Sequence, residues 1–232
     1  MKPSIASLNR KNALNRAAFS LIEVVLAIGV FLVTVLALVG LLGPTLQSVD
    51  EVEKTDEVSS VVNTVNAFLQ SSSDIAPGAS KFDAIYKAVG SDGFATMFVF
   101  RQFTSATSSD VQLKVGFSSA DTEIDSTAHL AVGEFDNAAG PIYRVILTPS
   151  SVLPAPAGNE TKYRSAERDA TTKTYTLNSS LAAYEEGYFA VEVRIYAEVP
   201  PTPGGAGFVV SKTLAASAET DPLFTYNTAI VR

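Results

Sequence analysis

Arg16-Ala17-Ala18-Phe19-Ser20-Leu21-Ile22-Glu23-Val24-Val25-Leu26-Ala27 opens the stretch that decides how this chain is built, because 23 positions without a charge follow over residues 24–46. At about 1.5 Å per residue a helix of that length covers roughly 34 Å, enough for a hydrocarbon layer of about 30 Å. The run is longer than the roughly 7 to 15 apolar residues of a secretory signal, and no Ala-x-Ala cleavage pattern follows it, so the sequence predicts a retained single span. Upstream, residues 1–18 hold Lys2, Arg10, Lys11 and Arg16 and no acid, a charge of +4. The rest of the chain has 13 basic against 24 acidic side chains, a balance of −11. Basic residues before a span and acidic ones after it put the N-terminus in the cytoplasm and the C-terminal part outside.

Glu23 is the residue that a plain anchor does not explain. An ionised acid at the centre of a membrane helix costs on the order of 3 kcal/mol, so such groups have partners and mark function unless they sit in the wet headgroup layer. The run from Arg16 to Ala27 resembles the prepilin signal of type IV pilins and type II secretion pseudopilins. What that resemblance implies is a basic leader over 1–18, a cut between Ala18 and Phe19 by a membrane-embedded prepilin peptidase of aspartyl type, N-methylation of Phe19, and Glu23 as the acid at the fifth mature position. Ala18 stands where the family more often has Gly and keeps the small size. Cleavage would give Phe19 a positive amine four residues from Glu23, on the same helix face, and the pair could form within a subunit or between neighbours. On this reading Glu23 is an assembly device. The overall length and the C-terminal Tyr226-Asn227-Thr228-Ala229-Ile230 are also similar to prepilin-like proteins of multi-gene cassettes in Verrucomicrobia-type bacteria.

Beyond the span, Val58, Val61, Val62, Val65, Phe68 and Leu69 recur at i, i+3, i+4, i+7, the spacing of an amphipathic helix. Ser71 to Asp74 and Pro77-Gly78 end the run. The sequence therefore predicts one helix over about residues 19–70, divided into a membrane and assembly part (19–48) and an amphipathic continuation (49–73). Within it Gly43-Pro44 removes a hydrogen bond and predicts a kink near Leu42. The resemblance implies loosening of this region on filament assembly. Residues 80–232 read as a head built on an antiparallel sheet, with strands over 96–103, 111–117, 142–148, 174–177, 188–199 and 208–214. The clearest is 188–199, where Phe189, Val191, Val193 and Ile195 alternate with Glu192 and Arg194, so that one face meets the helix. The expected fold is α+β and pilin-like.

Composition narrows the chemistry. With no Cys, one His and a net charge of −7, the chain has no thiolate site, little imidazole for a metal and no basic surplus for nucleic acid. Asp121, Glu123 and Asp125 alternate but lack the Gly and distal Glu of a calcium loop, and read as a solvated acidic loop. His129 reads as structural or exposed, and Glu185-Glu186 as surface. Gly204, Gly205 and Gly207 do not open a helix, so they make no phosphate loop. The 9% aromatic content, all Phe and Tyr, reads as core. No metal, cofactor or catalytic residue is expected. The sequence-level expectation is a filament subunit whose partners are prepilin peptidase, other pilin or pseudopilin subunits, an inner-membrane assembly machine and lipid. A membrane-anchored adhesin or sugar-binding module that never polymerises is the rival, and an anchored enzyme a distant third.

Overall fold

The computed structural model describes residues 20–71, 74–76, 78–105, 109–200 and 221–232, with the backbone alone at 42–51, 53, 54 and 76. The expected leader, Ala18, Phe19 and the strand expected over 208–214 lie outside the described residues. Two compact units divide the chain, Met1–Lys54 and Thr55–Arg232.

Helix α1 runs Leu21–Gln70. Its backbone stays helical through Gly43 and Pro44, the step at which the sequence predicts a kink. In the first unit the helix carries no charged residue from Val24 to Leu41 and is exposed there on every side. In the second, Val61, Val65 and Leu69 form its buried stripe, with Val62 and Phe68 at the margin. The C-terminal end is capped from outside the helix, because the Lys81 ammonium donates to the Phe68 carbonyl and, at 2.9 Å, to Ser71 Oγ. A cation there meets both an orphan carbonyl and the negative end of the helix dipole.

A short hairpin, β1 (Asp74–Ala76) and β2 (Ala79–Ser80), turns the chain into a second helix, α2 (Lys81–Asp92). The sequence expectation assigned this region to the sheet domain without a helix, although the signals are present. Ser80 accepts from the Asp83 N–H, Phe82, Ile85 and Val89 repeat at helical spacing, and Gly93 takes φ 83° to close the end with its N–H on the Val89 carbonyl.

Five strands follow: β3 (Ala95–Phe103), β4 (Val111–Phe117), β5 (Ala138–Pro149), β6 (Tyr188–Glu198) and β7 (Phe224–Val231). They form one antiparallel sheet in the order β4-β3-β5-β6-β7. Strand β7 is absent from the sequence-based assignment because its alternation is diluted by Thr225, Asn227 and Thr228. The stretch 174–177, expected as a strand, makes only one isolated bridge, Arg164 to Leu177. Its backbone is spent locally, with Asp169 N–H on the Thr174 carbonyl and Ser165 N–H on the Thr176 carbonyl, both 2.8 Å.

Period-2 alternation gives the sheet two faces. One carries Met97, Val99, Tyr143, Val145, Leu147, Phe189, Val191, Val193 and Ile195 and packs on the α1 stripe and on Phe82, Ile85, Tyr86 and Val89 of α2. An aromatic group of Phe82, Tyr86, Tyr163, Tyr184 and Phe189 fills this core, with ring centroids 4.7 Å apart for Tyr163 and Tyr184. The opposite face is covered as well. Phe98, Phe100 and Ile142 lie under Leu130 and Phe135, brought over them by 3₁₀ turns at Ser126–Ala128 and Val132–Asn137. The fold is thus α+β, an N-terminal apolar helix followed by an antiparallel five-stranded sheet whose central strands β3, β5 and β6 are buried on both faces.

Candidate functional site

The first unit presents its chemistry at the start of α1. Ser20 is the last residue before the helix, and the Glu23 N–H is shared between Ser20 Oγ at 3.3 Å and the Ser20 carbonyl at 3.1 Å. Serine suits this place because its oxygen satisfies a donor that the first turn leaves without an intrahelical partner. Glu23 falls in that first turn, where the positive end of the helix dipole favours a carboxylate. From Leu21 to Leu41 the helix is long and apolar enough to cross a membrane, and none of that span is buried. The polar Thr34 fits an apolar setting, since its hydroxyl donates back to the Val30 and Phe31 carbonyls at 3.0 and 2.8 Å. Of the residues singled out from the sequence, Glu23 is described here with its side chain, Gly43 and Pro44 by backbone alone, and Ala18 and Phe19 fall outside.

The second unit holds the other candidates and disperses them. Asp121 is fully buried and accepts the Thr96 N–H at 2.8 Å, anchoring its loop to the start of β3. That corrects the reading of a solvated acidic loop at this residue: the carboxylate is consumed by a backbone donor inside the fold. His129 Nε2 lies 3.0 Å from the Asp121 carbonyl, the structural of the two readings the sequence leaves open. Asp125 caps the 3₁₀ turn, accepting from Thr127 N–H at 2.9 Å and Thr127 Oγ1 at 2.7 Å, and these bonds hold its carboxyl below the usual range. Among the described residues no group of three or more His, Asp or Glu is placed to hold a metal ion. Glu185 is on the surface and pairs with Lys162 at 2.7 Å, which raises the ammonium to about 12.

The polar groups that the sequence reading missed are inside. Glu192 of β6, 4% exposed, accepts from Arg168 at 2.9 and 2.5 Å and from Arg194 at 2.9 and 2.8 Å. Burial alone would raise its carboxyl, but the two guanidiniums outweigh it and hold the group below its ordinary range. The same arginines reach the loop above them, Arg168 and Arg194 donating to the Lys173 carbonyl at 2.7 and 2.6 Å and Arg194 to that of Thr172 at 3.2 Å. Arg164 and Arg168 flank the Tyr175 ring at 4.3 and 4.7 Å. On the helix side, burial and a hydrogen bond to Glu57 push the Tyr143 hydroxyl up, tying α1 to β5. The i, i+2 spacing of Glu192 and Arg194 signals a shared face but not the loop that covers it.

These ion pairs and caps fix loops to the sheet. At the start of α1 a serine cap, one carboxylate and an exposed apolar surface coincide. No protein-family model, curated protein or solved structure matches the chain.

Proposed function

We propose that this chain is a prepilin-like structural subunit of a type IV pilus or type II secretion-like filament, without catalytic activity of its own. The observation that carries the reading is the coincidence of Ala18-Phe19-Ser20-Leu21-Ile22-Glu23 with an apolar helix exposed on every side from Leu21 to Leu41. Such a surface calls for lipid before assembly and neighbouring helices after it. Prepilin peptidase would remove residues 1–18 on the cytoplasmic side of the inner membrane, Phe19 would be N-methylated, and Glu23 would meet the new amine of its own or an adjacent subunit. An inner-membrane machine would then lift the subunit from lipid into the filament. The buried Glu192 carboxylate is held by two arginines and that of Asp121 accepts the Thr96 N–H, which fits a structural head better than an acid–base site.

Intact mass with N-terminal sequencing of the protein from its native membrane fraction tests this directly. The expected result is a chain beginning at methylated Phe19. A chain that still begins at Met1 in cells with active prepilin peptidase would refute the processing step and favour the anchored binding module.

A further inference from the structure

We infer that the cleft between the end of α1, strand β4 and the turns over residues 127–134 is a binding site for a small organic monocarboxylate, recognised by the ammonium of Lys81. The inference does not rest on the filament reading. The cleft has a volume of about 410 Å³ and lies wholly within the Thr55–Arg232 unit. Its apolar walls include Phe68, Ile75, Val115 and Leu130, and Lys81 lines it from the start of α2.

Three cationic side chains are buried among the described residues: Lys81 at 3%, Arg144 at 7% and Arg194 at 9% exposure. Arg144 is paired with Glu198 and Arg194 with Glu192. Lys81 has no such counter-ion among the described residues. Its partners are the Phe68 carbonyl, Ser71 Oγ at 2.9 Å and the face of the Phe68 ring at 4.6 Å, all neutral. An ammonium carries three donors, so one N–H is left over on a residue that lines the cleft. A buried charge without a counter-charge is costly, and burial holds this ammonium below its ordinary range. The acid on the far wall does not supply what is missing, because Glu134 is engaged by Lys114 at 2.8 Å through Oε1 and by the Ala131 N–H at 3.2 Å through Oε2. An anion entering the cleft would supply it.

The walls narrow the ligand. Glu134 and the exposed Asp74 share the cleft, so a dianion such as a phosphate monoester would meet two carboxylates, whereas a carboxylate brings the one negative charge that a single ammonium balances. His129 Nε2 faces the Asp121 carbonyl, which can only accept, so Nε2 carries the ring proton and the neutral imidazole has no second donor for an anion. Recognition of charge therefore falls to Lys81, and the apolar walls take the body of the ligand, in a volume within the usual small-molecule range of roughly 300–1,000 Å³.

The test is acetylation of the full chain by acetic anhydride in detergent micelles, followed lysine by lysine by peptide mass, with benzoate as the probe and the exposed Lys87 as the reference in the same sample. Rising benzoate should slow the reaction of Lys81 along a saturating curve, by about tenfold once most chains are occupied, while Lys87 keeps its rate. Benzamide, which has the same shape without the charge, should protect neither lysine, and inorganic phosphate should protect Lys81 less than benzoate does. A Lys81 rate indifferent to benzoate overturns the inference. So does equal protection by benzamide, which would leave the ammonium no part in recognition, or stronger protection by phosphate, which would reject the carboxylate. A Lys81 inert to the reagent in the absence of any ligand, while Lys87 reacts, would show that the cleft does not reach the amine and overturns it as well.

Discussion

Removing the Glu192 carboxylate should destabilise the sheet domain more than any surface substitution, because it strands two guanidiniums at once. The Glu192 and Arg194 side chains are 5% and 11% exposed, and Arg168 is 35% exposed. Breaking a buried pair by deleting one partner costs about 3–5 kcal/mol, most of it from leaving a charge without its counter-ion. In a domain of 150–250 residues about 1 kcal/mol moves the melting temperature by roughly 2–4 °C, so Glu192→Gln should lower it by about 10 °C. The assay is thermal unfolding of the full chain in detergent micelles, followed by the near-ultraviolet dichroism of the tyrosines, since the chain has no Trp.

The pH dependence gives this prediction a second edge. Because the folded-state carboxyl is held below its ordinary value of 4.5, its contribution is full above pH 4.5 and is lost as pH falls through the lower folded value. The gap between wild type and Glu192→Gln should therefore be wide at pH 7 and close as the solution is acidified below pH 4.5. A gap of under about 2 °C at pH 7, well short of the expected shift, would refute the argument, and so would a gap that survives undiminished at pH 3.

Gly116→Ala should also destabilise, since a Cβ there would lie 2.7 Å from Leu130 Cγ and 3.2 Å from the Ala128 carbonyl oxygen. Overpacking of this kind costs about 1–3 kcal/mol, and the same melt checks it. Leu69→Ala empties a site that is 2% exposed between α1 and the sheet and should cost about 2–5 kcal/mol, read as a lower urea midpoint with an unchanged slope. Glu23→Ala and Glu23→Gln should both insert in the membrane yet be absent from sheared filaments. Incorporation of Gln but not Ala would show that the helix start, which Gln preserves, matters and the charge does not.

Sequence periodicity makes α1 legible almost to the residue, because the span has no competing reading and Val58 to Leu69 repeat at helical spacing over three turns. Strand β4 is equally legible, and β6 nearly so: their alternation is unbroken and their ends are marked by polar residues. What escapes is whatever depends on a partner distant in sequence. Glu192 and Arg194 look like a wet face until residues 163–175 are laid over them, and Asp121 looks solvated until the Thr96 N–H arrives from 25 positions earlier. Helix α2 escapes for another reason. Twelve residues with two lysines and two aspartates are weakly amphipathic, and the capping serine and Gly93 carry more of the signal than the apolar repeat.

The two units solve the burial problem in opposite ways, and the difference bears on what Glu23 does. The Thr55–Arg232 unit buries its own core, whereas between Leu21 and Leu41 fifteen large apolar side chains are exposed, from Val35 at 37% to Leu21 at 84%. Covering them is worth on the order of 20 kcal/mol, more than the roughly 5–15 kcal/mol that holds a typical domain folded, and on the proposed reading lipid and then neighbouring helices supply that cover. Moving it from lipid into a bundle of identical helices exchanges one apolar environment for another, and the hydrophobic term nearly cancels. The balance between staying in the membrane and joining the proposed filament then falls to terms of a few kcal/mol, packing around Gly29 and Gly40 and the pairing of one carboxylate. Glu23 is the only ionisable side chain in Leu21–Leu41, so in that balance a single substitution at this position weighs as much as any packing change along the rest of the helix.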